Sequence, residues 1–330
     1  NGTTATTINK KKVAGGFLLI VVAVVPLAML IMPLTPMFLW QEVGLFLLTL
    51  ILSLPLMKLK TTNQRFLLLS AGLWGGLILD QVTGWNLIRF SALGYSAVAG
   101  SRYYGIGNEY MGVLLAVSLV LAHLLSQTLK SKWPAIIILL LSVVTLGWPQ
   151  LGINFGGTLA ALAGYFYYLV KLYGLDWKNK KVWIILGGFI LTIALISWWD
   201  SRRDPELQTH LGRFFQIIID LNFSQTWQIF SRKAAMNFKL IIYSAWTKTI
   251  LLMAAITILN RIISYRLVAL SERSVWNGIL VSGLAAFLVN DSGVVAFGTC
   301  LAFGFTYLLS RFEEREFSSN AVQHSCNKAK

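Results

Sequence analysis

Ten hydrophobic runs of about fifteen to twenty residues, each with few or no charges, recur along the chain, close to the length at which a helix crosses the hydrocarbon of a bilayer. They lie at 13–33, 37–56, 65–79, 110–129, 133–148, 155–173, 182–199, 243–263, 275–289 and 293–310. With 56% hydrophobic and only 12% charged residues in 330, the chain has too little polar surface to clothe a soluble globule. The pattern predicts an all-α, polytopic transmembrane helical bundle of about ten spans, with the lipid bilayer as its first partner. The runs from 65 and 275 are short, which suggests helices ending inside the protein beside a cavity.

A net charge of +15 would suggest nucleic acid in a soluble chain. Here it is the Lys and Arg excess of cytoplasmic loops, and no nucleic-acid partner is expected. Ten spans place both ends on one side, and most of the 28 Lys and Arg fall there, including Lys10 to Lys12, Lys58, Lys60, Lys130, Lys132, Lys178, Arg311 and Arg315. That bias predicts a cell-membrane protein with both termini cytoplasmic. Its organisation reads as a polar amino-terminal segment at 1–12, a transmembrane domain at 13–310 and a polar cytoplasmic tail at 311–330. The opening Asn1 to Thr7 is unlike the charged start of a signal peptide and reads as the edge of a longer or processed chain. Cys300 and Cys326 have no ligand neighbours at metal spacing, so neither a metal nor a cofactor is expected.

Four polar, glycine-bearing interruptions fall on the outer side in this count. Loops on the inner side read as plain solvated connectors. Between the third and fourth spans, 87–95 is too short and polar to cross and reads as an interfacial or re-entrant segment. Between the seventh and eighth, the outer-face region 200–242 places apolar residues at helical spacing beside Arg213, Arg232, Lys233 and Lys239. Two amphipathic helices lying on the outer surface would do this, with Trp148, Trp198, Trp199, Trp227 and Trp246 as an aromatic belt.

The first interruption is Arg102-Tyr103-Tyr104-Gly105-Ile106-Gly107-Asn108-Glu109. Its glycines let backbone amides approach a ligand, Arg102 can fork onto phosphate, and Asn108 or Glu109 opens the next helix. A carboxylate at a helix start is also stabilised by the dipole alone. In the second, Asn154 precedes Gly156-Gly157: the amide suits a hydroxyl-rich or phosphate ligand, and the glycines suit close packing. The third contains His210, able to exchange a proton near neutral pH, with Arg213 and Lys233 as phosphate-holding cations and Asn237 one turn beyond Lys233. Arg202 and Arg203 read as surface partners of Asp204 and Glu206. The fourth, Asn290-Asp291-Ser292-Gly293, has the composition of a tight turn, yet a carboxylate at a cavity end needs a cationic partner or a proton to carry. Asp80 occupies the matching end of the third span. Glu109, His210 and Asp291 are thus the candidates for proton chemistry, and Arg102, Asn108, Asn154, Arg213, Lys233 and Asn290 for binding.

The run Arg102 to Tyr110, followed by the Asn-Phe-Gly-Gly, His-Leu-Gly-Arg and Asn-Asp-Ser-Gly motifs, resembles poorly characterised bacterial multi-pass membrane proteins. Some of these carry an extracytoplasmic alkaline-phosphatase-like domain ahead of the membrane region, and no such domain is expected within these 330 residues. The resemblance implies an envelope membrane protein and offers an extracytoplasmic domain or protein as a partner, without implying an activity.

No P-loop, zinc-protease pair or phosphatidic-acid-phosphatase triplet occurs. Three readings follow. The protein transports or flips an anionic envelope precursor, for example one linked to polyprenyl phosphate. Alternatively it is a membrane-embedded transferase or hydrolase acting on a lipid-linked phosphate substrate at the outer face. The third is a non-catalytic anchor or assembly partner of an extracytoplasmic domain.

Overall fold

Without water to satisfy it, backbone at membrane depth must pair within its own segment, and each of the ten hydrophobic runs coincides with a helix. A computed structural model of the protein describes residues 2–35, 41–84, 86–94, 105–176, 178–204, 208, 210–220, 223–264 and 270–328. Among the described residues there is no strand. The helices are α1 (Gly2–Ile31), α2 (Gln41–Met57), α3 (Thr62–Thr83), the single turn α4 (Leu87–Phe90), α5 (Asn108–Thr128), α6 (Trp133–Gly147) and α7 (Phe155–Leu172). They continue with α8 (Lys180–Ser201), α9 (His210–Ile219), α10 (Phe223–Tyr243), α11 (Ala245–Ser264), α12 (Leu270–Val289) and α13 (Gly293–Lys328). Among the described residues, five are long and apolar enough to cross a membrane, at 15–34, 62–83, 108–128, 180–201 and 293–315. A sixth is added if α10 and α11, which meet at a 73° bend, count as one broken span.

Neither run expected to be short is short. Thr61 accepts from the Gln64 backbone N–H while the Gln64 side chain accepts from the Thr61 N–H, so a capping box starts α3 within polar sequence. α12 likewise begins at Leu270, its buried Glu272 matched by Arg311 of α13. The polar segment beginning at 311 continues α13 without a break, and its first residues are tied into the bundle.

Burial ranks the helices. In α5, 83% of the most apolar stretch is buried, against 17% in α8, so α5 is the axis of the bundle and α8 lies at its edge. Trp183, Ile184, Ile190, Leu191 and Leu195 of α8 point outward, as lipid-facing positions do. Close to the axis, small residues set the spacing: Gly164 of α7 abuts Gly278 and Ser282 of α12, and Gly112 of α5 abuts Ala296 and Thr299 of α13. Apolar side chains gain little by leaving lipid for protein, so close backbone approach is the main source of such packing.

The two amphipathic stretches are helical, as α9 and α10. Trp148 and Trp199 stack with centroids 5.1 Å apart where α6 and α8 end.

Candidate functional site

Three of the four interruptions meet at one end of the bundle, and part of the remaining one joins them. Gly105 takes a φ of +85°, open to glycine, and a Cβ there would lie 2.5 Å from the Gly152 carbonyl oxygen. This lets the Ile106 N–H donate to that same oxygen at 2.8 Å, zipping the first interruption to the second. Asn154, 3% exposed, completes the join. Its carboxamide donates to the Ile106 carbonyl at 3.0 Å and to Asn108 Oδ1 at 3.4 Å, while its oxygen caps α7 by accepting from Gly157 N–H at 2.8 Å.

The α12–α13 turn closes the cluster. A Cβ on Gly156 would overlap the Asn290 side chain, so glycine is required for α7 to start against that turn. Asn108 donates to Asp291 Oδ1 at 3.2 Å, and Asp291 also accepts from the Ser292 N–H at 3.0 Å. From α10, Lys233 Nζ donates to the Val289 carbonyl at 2.6 Å. Asn237 clasps both sides of the turn. Its carboxamide nitrogen donates to Phe287 O at 3.1 Å and Asn290 O at 2.6 Å, and its oxygen accepts from Val294 N–H at 3.3 Å.

Asn108, Asn154, Lys233, Asn290 and Asp291 are therefore brought together. Glu109 lies in the first turn of α5, its carboxylate folded over Gly107. Arg102 falls outside the described residues, and of His210 only the helical backbone is described. Arg213 is exposed on α9, which packs chiefly on α8. There the buried Asp200 accepts from Gly212 N–H at 2.8 Å and pairs with Arg203 at 3.3 Å. Asp80 has the same kind of task, accepting from the N–H groups of Leu87 and Ile88 at 2.6 and 3.2 Å to hold α4.

Asn237 is the residue the candidate set omitted; its spacing of one turn from Lys233 was the available signal. The opposite end of the bundle is also more structured than plain connectors would be. Arg311 binds the buried Glu272 at 2.7 Å and also bonds Glu314, Arg315 reaches Glu272 at 3.2 Å, and Glu314 accepts from the Thr62 N–H at 3.3 Å. Beside them a cavity of about 150 Å³ is lined by residues including Lys60, Arg65 and Glu313.

Electrostatically the asparagine cluster is defined by helix starts. α5, α7 and α13 all begin there, each presenting the positive end of its dipole. Exposed Asp291 and half-buried Glu109 sit in that field. Comparison with protein-family models, curated proteins and solved structures finds no match to this chain.

Proposed function

We propose that the protein transports an anionic substrate, of the class exemplified by polyprenyl-phosphate-linked envelope precursors, and that the asparagine cluster is its outer-facing binding site in a ten-span bundle. The observation that supports this most directly is the convergence of three helix starts on one polar cluster at one end of an apolar bundle. Helix starts meeting an anionic group near interrupted helices are a recurrent transporter arrangement, because backbone amides and dipoles favour negative charge there.

Asp291 and Glu109 now supply that negative charge from within. Protonating them removes the competing charge, so a proton and an anionic ligand favour each other's binding, and by linkage the effect is reciprocal. Lys233 and Arg232 on α10 add positive charge nearby, and Arg102, His210 and Arg213 belong to the same face in this reading. The buried asparagines are occupied with backbone groups, which makes them the rigid frame of the site, with Asn108, Glu109 and Asp291 at its rim.

The experiment is reconstitution into vesicles with a labelled polyprenyl phosphate in one leaflet. Movement to the other leaflet, chemically unchanged, is expected. A new labelled product would instead establish transfer or hydrolysis at the same face, and neither movement nor product would sink both readings.

A further inference from the structure

The cavity at the Glu272–Arg311 end is enclosed by α1, the connector from α2 to α3, the start of α3 and α13. Its walls divide by chemistry. Gly16, Ile20 and Met57 form an apolar side, and Lys60, Arg65, Glu313 and Glu314 a charged one. At about 150 Å³ it has room for a compact polar group, being far larger than the roughly 10–15 Å³ that admits one water.

Two cations and two carboxylates face one space, so a ligand with a single sign of charge is repelled by one pair whichever sign it carries. Both cations have donors to spare. Lys60 is exposed, and its Nζ has no partner among the described residues. Arg65 is held by donating from Nε and Nη2 to the Leu59 carbonyl at 3.2 and 3.0 Å, which leaves Nη1 for another acceptor. Glu314 accepts from the Thr62 N–H at 3.3 Å and binds Arg311, yet an ionised carboxylate offers about four acceptor positions in all. Glu313 reaches toward α1, its Oε1 2.9 Å from where a Cβ on Gly15 would lie.

The cavity also stands at the level where a bilayer turns polar. α3 and α6 run in the same direction and meet where the Trp74 indole donates to Ser142 at 2.8 Å; Arg65 precedes Trp74, and Trp133 precedes Ser142, by the same nine residues. The exposed Trp133 is therefore level with Arg65, and exposed aromatic rings at helix ends mark the membrane interface. One turn deeper on the same helix faces, Leu54 below Met57 and Leu68 below Arg65 are exposed and apolar, as surfaces that meet lipid chains are.

We propose that this cavity binds a phospholipid whose headgroup bears both a phosphate and a primary ammonium, as in phosphatidylethanolamine, with its acyl chains over Leu54 and Leu68. Lys60 and Arg65 hold the phosphate through charge-assisted bonds, and Glu313 and Glu314 accept from the ammonium. A quaternary ammonium has no N–H to donate and is held by aromatic faces instead, whereas no aromatic residue lines the cavity. A headgroup with phosphate alone would set its charge against the two carboxylates without an ammonium to offset it. The site lies at the opposite end from the asparagine cluster and does not depend on the transport reading.

The test uses the full chain, stripped of lipid in detergent and titrated with the dihexanoyl forms of phosphatidylethanolamine, phosphatidylcholine and phosphatidylglycerol. Calorimetry reads binding, and thermal unfolding reads stability. Phosphatidylethanolamine should fill one saturable site and raise the unfolding temperature, with the other two about tenfold weaker or more, the factor that a lost hydrogen bond to a charged group brings. Free phosphoethanolamine, the headgroup without chains, should bind more weakly than the lipid. Gly16→Leu fills the space, and since a Cβ there meets nothing within 4 Å the variant should fold while losing the binding. Lys60→Gln should weaken phosphatidylethanolamine by about tenfold, and Glu313→Gln should narrow its preference over phosphatidylglycerol. Equal binding of the three lipids, tighter binding of phosphatidylglycerol, or undiminished phosphatidylethanolamine binding in folded Gly16→Leu and Lys60→Gln overturns the proposal. Phosphoethanolamine bound as tightly as the lipid would overturn it too, by making the ligand a soluble zwitterion.

Discussion

Asn237 shows how one amide can decide whether a turn holds its shape. It satisfies two carbonyls and one N–H where α12 ends and α13 begins, all groups that a helix leaves unpaired at its termini. Asn237→Ala strands them in a buried setting, so the protein should lose stability on the order of 3 kcal/mol, given about 1–3 kcal/mol for each buried group left unsatisfied. Chemical unfolding in detergent measures this, and a loss near zero would mean that the clasp does not hold the turn. Asn154, Asn290 and Asp291 were legible in the sequence because polar residues at the edges of apolar runs conflict with their surroundings. Their task was less legible: Asn154 and Asn290 spend most of their hydrogen bonds on backbone, which residue type alone does not distinguish from ligand binding. Asn237 showed in the sequence only as an amide one turn beyond Lys233, a spacing that gives it no task, and its contact with a distant turn supplies one.

At the level of elements, apolar runs announce helices but not where helices begin. α3 and α12 start in polar sequence, and what keeps them helical is long-range or capping chemistry that hydropathy does not register. Glu272 is the clearest case, 2% exposed, with two arginines from α13 upon it. Glu272→Ala leaves Arg311 and Arg315 facing a low-dielectric pocket without their shared acceptor, and removing one partner of a buried ion pair typically costs about 3–5 kcal/mol. Glu314 still engages Arg311 and the pair is not wholly enclosed, so the lower part of that range is expected. The double variant Glu272→Ala/Arg311→Met should recover part of the loss by removing the stranded cation together with its acceptor. Unfolding of the two variants side by side checks this, and a double variant no more stable than the single one would place the ion pair outside the account.

For the whole molecule, the open quantity is how many helices cross. Ten apolar runs in the sequence argue for ten crossings, whereas helix length and composition qualify five helices among the described residues, or six with the bent α10–α11 pair. Contacts narrow the matter. Thr62 meets Glu314 and Gly15 lies beside Glu313, so the start of α3 and residues 313–314 of α13 share one end with that part of α1. Asn108, Asn154 and Asp291 share the other end. α6 is one of two shorter apolar helices on which the count turns, 15 residues long with Lys130 and Lys132 just before it and Trp148 just after it. If it crosses, a cysteine placed at Ser131 is on the same side as one at Lys60, and one at Gln150 is on the same side as those at Ser201 and Asp291. With Cys326 replaced by serine and Cys300 buried, an impermeant thiol reagent added to intact cells should label Gln150→Cys, Ser201→Cys and Asp291→Cys, and spare Lys60→Cys and Ser131→Cys until the cells are opened. Ser131→Cys and Gln150→Cys labelled from one side would make α6 a buried non-spanning helix. Labelling of Lys60→Cys in intact cells with protection of Ser201→Cys would invert the orientation, placing the asparagine cluster inside and the Glu272–Arg311 end outside.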